Sequence, residues 1–144
     1  MMILGLAGAG LALGGCASGR VAAGPDPLAL QLADADRSID GTWVLMQAQV
    51  NPPLEPVLAS LMAAQYGQMR LTFAHGSLAV QGVGIQFTRR YQVTQVDPDG
   101  RIHVRFGDDT GSTMDADGVV SGDTLTFNGR TPPWIGTGVL QRAR

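Results

Sequence analysis

The spacing of hydrophobic residues changes from a helical to a strand period near residue 68. Over residues 54–66 the apolar side chains recur at the three- and four-residue spacings of one helix face. They are Leu54, Val57, Leu58, Leu61, Met62 and Tyr66. This pattern predicts one amphipathic helix over residues 54–66, which Gly67 can end in a left-handed conformation.

Apolar and polar residues alternate over most of the remaining chain, as in strands with one buried face. Turn-forming residues separate the alternating segments, as in His75-Gly76 and Asp97-Pro98-Asp99-Gly100. Strands are predicted at residues 42–50, 69–73, 78–80, 85–96, 102–106, 112–115, 125–127 and 135–142.

Short strands at near-regular spacing, joined by tight turns, are typical of an antiparallel meander. The fold class is therefore mainly β, with about eight strands and one helix after the first. Such a meander can close into a small barrel, which removes exposed edges. An open, strongly curved sheet wrapped on the helix is the alternative.

Charge and cysteine content narrow the functional classes. The 144 residues are enough for one domain. The net charge of −2 does not indicate a nucleic-acid partner. A single cysteine, Cys16, excludes an internal disulfide framework.

Residues 2–15 are almost wholly apolar or glycine, too short for a spanning helix but suited to a signal segment. Leu13-Gly14-Gly15-Cys16 follows and resembles the lipobox of bacterial lipoprotein precursors. This resemblance implies cleavage before Cys16, lipidation of that cysteine and membrane anchoring. Because Ala17 rather than Asp follows, it also implies the outer membrane, facing the periplasm. The alternative is an ordinary secretory leader in which the cysteine has no role.

The expected organisation is a signal segment at residues 1–15, a tether at 16–38 and a β domain at 39–144. Within the tether, Asp26-Pro27 can begin a short helix that continues to Ala35.

Gly41-Thr42-Trp43, at the start of the first predicted strand, resembles the Gly-X-Trp signature of lipocalins and lipocalin-like domains. In that family the Trp closes one end of the barrel beneath an Arg near the last strand. The resemblance therefore implies that Trp43 and Arg142 form such a closure. The alternative is that Trp43 is a plain core aromatic residue.

Arg89 shares the inward parity of its strand with Phe87 and Tyr91. It is either an anchor for a ligand carboxylate or phosphate, or an arginine that reaches the rim and pairs with an Asp. A bulge near Arg89 is the other way to avoid a buried charge. The aromatic residues expected to line a ligand pocket with Arg89 are Phe73, Phe87, Tyr91 and Phe106.

The remaining motifs predict turns rather than chemistry. Asp109-Thr110-Gly111 matches the aspartic-protease triplet, but those enzymes need two such aspartates. His75 and His103 lack the neighbouring ligands of a zinc site. We therefore predict no catalytic residues, no metal and no cofactor.

Two functional hypotheses remain. The first is a non-enzymatic, membrane-anchored binding module for an apolar or amphipathic small ligand. The second is an envelope lipoprotein with a solid core that contacts protein partners through loops such as residues 132–136, which contain Trp134.

Overall fold

The computed structural model describes residues 24–132 and 135–144. The lipobox-like stretch with Cys16 and the loop residue Trp134 lie outside the described residues. No helix within the described ranges is both long and apolar enough to cross a bilayer.

Eight antiparallel strands form a closed barrel in which each strand pairs with the next along the chain. The predicted meander is confirmed, and the pairing of the eighth strand with the first decides for a barrel over an open sheet. The strands are β1 Gly41–Val50, β2 Arg70–Ala74, β3 Ser77–Gly82, β4 Ile85–Val96, β5 Ile102–Gly107, β6 Thr113–Ser121, β7 Thr124–Gly129 and β8 Gly136–Arg142.

The β2–β3 connection shows how local sequence sets the register. His75 and Gly76 have positive φ angles of 51° and 74°. Two consecutive left-handed residues form the turn whose twist matches that of a hairpin. Ala74 consequently pairs with Ser77, and Phe73 pairs with Leu78.

Helix α1, Pro27–Ile39, precedes the barrel. The side chain of Asp26 caps it by accepting a hydrogen bond from the Leu28 amide at 3.0 Å. The helix is longer than the predicted one, which ended at Ala35, and it packs against β4. Ala35 and Ile39 are buried, so the last turns of α1 contribute to the core.

Helix α2, Pro56–Ala63, lies between β1 and β2. It is shorter than the predicted helix over residues 54–66. Gly67 has the expected positive φ, 74°, but it lies within the turns at residues 64–68 rather than ending the helix directly. No residue of α2 is fully buried, and Met62 is partly buried where it packs against the core.

The inward-facing side chains fill only part of the barrel. Four aromatic rings form a cluster inside, with centroids 5.3–6.4 Å apart between neighbours. They belong to Phe73, Tyr91, Phe106 and Phe127. Beyond this cluster the interior becomes a cavity.

Candidate functional site

The two ends of the barrel differ. Because strand direction alternates, the β1–β2, β3–β4, β5–β6 and β7–β8 connections lie at one end, which we call the open end. Helix α2 belongs to that end. The other connections lie at the closed end, together with the start of β1, the end of β8 and the last turn of α1.

Trp43 and Arg142 meet at the closed end. Trp43 is fully buried, and its indole Nε1 donates to the carbonyl of Ile39 at 2.8 Å. The guanidinium carbon of Arg142 lies 4.2 Å from the centroid of the Trp43 ring, close enough for a cation–π contact. Arg142 also donates to the carbonyls of Asp40 at 2.9 Å and Ser38 at 3.2 Å. One arginine thus holds both the tryptophan and the end of α1.

A cavity of about 640 Å³ occupies the barrel between the aromatic cluster and the open end. Its lining is almost entirely apolar. The deeper lining residues include Phe73, Leu78, Val80, Phe106, Phe127 and Leu140. The entrance residues include Leu54, Leu58, Leu61, Ile85, Phe87 and Ile135, which lie on α2 and on the open-end connections or next to them.

Four of the five predicted pocket residues line the cavity: Phe73, Phe87, Arg89 and Phe106. Tyr91 does not. Its ring packs edge-on against Phe73, and its hydroxyl is buried and has no hydrogen-bond partner among the described residues. Burial raises the pKa of Tyr91, and the nearby carboxylates of Asp36 and Asp40 add to that rise. Strand parity placed Tyr91 on the inner face correctly, but it lies below the cavity floor, towards α1.

Arg89 lines the cavity but does not lack a partner. Its Nη1 lies 3.0 Å from Oδ2 of Asp108, and both side chains are partly exposed. Its guanidinium carbon also lies 5.5 Å from the centroid of the Phe87 ring. The pairing corresponds to the second sequence interpretation, in which Arg89 reaches the rim and meets an Asp.

Asp108 is held in a defined turn. Its Oδ1 accepts from the Thr110 hydroxyl at 2.6 Å and from the amides of Thr110 and Ser112 at 2.9 and 3.0 Å. The hydroxyl hydrogen bond, with help from these amides and Arg89, holds the pKa of Asp108 below its usual range. The Asp-Thr-Gly triplet therefore lies in a turn at the entrance of the cavity.

A second polar cluster lies on the outer face of the barrel wall. Asp117 has no exposed surface, and it accepts from Arg101 Nη1 at 2.7 Å and Arg130 Nε at 2.6 Å. Burial raises the pKa of Asp117, but the hydrogen bonds from the two arginines outweigh this and lower it. This cluster links β6 to residues beside β5 and β7 and thereby stabilises the barrel wall. It lies outside the cavity.

Sequence reasoning missed several residues of the site. Met62, Met69 and Met114 line the cavity, as does Gln65. The inward parity of Met69 and Met114 could have been seen in the sequence, since Met69 alternates with Leu71 and Phe73. Met62 and Gln65 lie on α2 or just after it, where an apolar helix pattern does not say which way the helix faces.

Barrel and cavity together define the class: a closed, eight-stranded antiparallel β-barrel with an apolar cavity that opens at one end. No protein-family model matches the chain, and no curated protein sequence is significantly similar to it.

Proposed function

We propose that this protein binds an apolar or amphipathic small molecule inside its barrel and performs no catalysis. The observation that carries this proposal is the cavity of about 640 Å³ with its apolar lining. Small-ligand sites typically measure about 300–1,000 Å³ and combine apolar walls with a few polar groups. The cavity has this size and this character.

The placement of polar groups favours an amphipathic ligand. The Arg89–Asp108 pair and Gln65 lie near the entrance, while the deeper lining is aromatic and aliphatic. A ligand with an apolar body would therefore point its polar part towards the open end. Because Asp108 already balances the charge of Arg89, the ligand need not be an anion.

We propose further that the protein is a lipocalin-like lipoprotein, anchored through lipidated Cys16 in the outer membrane and facing the periplasm. The Trp43–Arg142 contact supports the lipocalin-like part, because a Trp beneath a late Arg is what the resemblance implied. The lipobox-like stretch ending at Cys16 supports the anchor.

The second hypothesis, an envelope interaction protein, required a solid core. The cavity favours ligand binding over that hypothesis. In a solid barrel the inward-facing apolar side chains would fill the interior at normal packing density and leave no cavity.

Native mass spectrometry of the full chain, purified in mild detergent and followed by lipid extraction, tests the binding proposal. We expect a stoichiometric adduct of lipid-like mass. Ala116 lines the cavity, so Ala116→Phe should fill part of it and remove the adduct. Ala79 faces outward on β3, so Ala79→Phe is the matched control and should keep it. A bare mass for the unaltered chain, or equal loss in both variants, would contradict the proposal.

A further inference from the structure

Apart from Ile135, six large apolar side chains at the open end are exposed, each by between 37% and 73% of its surface. We call them the apolar rim: Val57, Leu58, Leu61, Val83, Ile85 and Phe87. Scattered exposed apolar residues are normal in a folded protein. These six instead gather at one place, since three lie on α2 and three lie at or next to the β3–β4 turn.

The two parts of the apolar rim are joined. The side chain of Gln65, just after α2, accepts from the Val83 amide at 2.8 Å and donates to the Val83 carbonyl at 3.0 Å. Helix α2 itself carries no charged residue. An exposed, uncharged helix fixed to an apolar turn is the kind of surface that marks contact with another apolar body.

The apolar rim is also the entrance to the cavity. Leu58, Leu61, Ile85 and Phe87 line the cavity and are at the same time exposed. A molecule that covered the rim would therefore be continuous with the apolar interior of the barrel.

We propose that the apolar rim docks on a lipid bilayer and that the ligand, a membrane lipid, passes directly between the bilayer and the cavity. An apolar ligand leaving a bilayer through water would expose its whole apolar surface, which is unfavourable in proportion to the exposed area. Docking of the rim removes that step. The ligand part of this inference rests on the proposed function, whereas the docking itself can be measured separately.

The charges at the open end are consistent with oblique docking. Asp109 lies on the β5–β6 connection with Asp108, which pairs with Arg89 of β4 beside the rim residue Phe87, and Glu55 directly precedes α2. Charged groups stay in water or among lipid headgroups while apolar side chains enter the interface. The barrel would thus tilt towards α2 and the β3–β4 turn.

The length of chain before the described residues bears on this orientation. Eight peptide units join Cys16 to Gly24 and span at most about 26–29 Å. Strand β4 has 12 residues, which gives roughly 30 Å of barrel height after the usual tilt. Because the extended segment is no longer than the barrel, a chain anchored at Cys16 brings its open end to the same bilayer by lying obliquely on it.

A second copy of the chain is a weaker candidate for covering the rim. Stable interfaces use roughly 20–30 residues on each side. The apolar rim offers six residues, four of which are partly turned into its own cavity.

Site-specific fluorescence in vesicles tests the docking. Cys16 is the only cysteine, so Leu61→Cys introduces a thiol that can be labelled at the rim. Val119→Cys is the matched control, because Val119 is exposed on the outer face of β6 near the closed end. Where the Cys16 thiol also reacts with the label, both proteins carry Cys16→Ser, so that only the introduced cysteine is labelled. Each labelled protein is bound to phosphatidylcholine vesicles containing doxyl-labelled phosphatidylcholine.

We expect doxyl lipid to quench the Leu61→Cys label several-fold more than the Val119→Cys label. Equal quenching of the two labels overturns the proposal. The proposal is also overturned if the Leu61→Cys label is already shielded before vesicles are added and the protein has twice its monomer mass. A second copy of the chain then covers the rim.

A transfer measurement tests the passage of lipid. Leu58→Glu combined with Leu61→Glu should slow the movement of fluorescent phosphatidylcholine from vesicles to the protein by roughly a hundredfold, since each of the two inserted Leu side chains contributes about tenfold. Val119→Glu should leave the rate unchanged, and circular dichroism verifies the fold of both variants. An unchanged rate in the double variant overturns the proposal.

The two proposals fail in different ways. A lipid adduct by mass spectrometry with the Leu61→Cys label in water overturns docking and leaves the proposed function standing. A quenched label with an empty cavity supports docking and overturns the proposed function.

Discussion

The barrel carries one helix at each end, and the more apolar helix is the more exposed one. Helix α1 contains three charged residues, Asp34, Asp36 and Arg37, yet it buries Ala35 and Ile39. Helix α2 contains none and buries no residue. The difference shows that specific side-chain hydrogen bonds, rather than apolar content, decide which helix packs into the core.

The ties at the closed end are directional. Trp43 donates to the last carbonyl of α1, and Arg142 donates to two carbonyls nearby. At the open end the comparable contact is made by Gln65, which lies just after α2 and forms hydrogen bonds to the β3–β4 turn. The closed end is thus built for stability, and the open end leaves its helix available for contact.

The largest contrast is expected between Trp43→Ala and Leu61→Ala. Removing the fully buried indole should lower the free energy of unfolding by about 3–5 kcal/mol, through lost burial and a new cavity. Removing the exposed Leu61 side chain should change it by less than about 0.5 kcal/mol. Urea denaturation of both variants measures the difference, and similar losses would mean that the two ends are equally important to the core.

Arg142→Ala should lower the free energy of unfolding by about 2 kcal/mol. The variant loses a cation–π contact worth about 0.5–2 kcal/mol and two charge-assisted hydrogen bonds. The loss should be concentrated in α1, where hydrogen exchange should accelerate relative to α2. Arg142→Lys keeps the charge without the planar fork and should recover only part of the loss. Uniform acceleration throughout the barrel would show that Arg142 does not act on α1 in particular.

Gln65→Ala should lower the free energy of unfolding by about 1–2 kcal/mol, because it removes two hydrogen bonds to a largely exposed residue. The Val83 amide should exchange faster, since it loses its acceptor. A loss above about 3 kcal/mol would contradict the comparison, because it would make the open end as firmly held as the closed end.

The smallest expected effect is a change in folding stability at acidic pH. The pKa of Asp108 is lowered in the folded state, so its contribution to stability is present above the pKa of the unfolded chain and is lost as the pH falls through the folded value. Asp108→Asn should therefore shift the urea midpoint at neutral pH, and the shift should vanish in acid. Asp109→Asn removes the same charge from the same turn and is the control. A shift that persisted in acid would assign the effect to lost packing.

Much of the fold could be predicted because its signals are local. Residues 85–96 were predicted as a strand and β4 has those bounds. The positive φ of His75 follows from the turn that His75-Gly76 must make. Alternation and turn chemistry act over a few neighbours, so the sequence alone reveals them.

Helix limits and burial depend on distant residues, and the sequence did not show them. Helix α1 continues past Ala35 because Trp43 and Arg142 bind its last turn. The parity of β4 predicted that Arg89 and Tyr91 face inward, but not that Asp108 would pair with Arg89 or that Tyr91 would lie beneath the cavity floor. Parity gives a direction across the sheet, whereas depth and partners depend on other strands.

The closed end also has a consequence for how the chain acquires its structure. The hydrogen bonds from Arg142 to Asp40 and Ser38 join residues 102 and 104 positions apart. Contacts between residues so distant in sequence slow folding, because the loop between them must close first. Barrel closure and the seating of α1 therefore wait until the final strand has been synthesised. A chain that ended a few residues early would lack Arg142 and would hold its first helix only through Trp43 and the packing against β4.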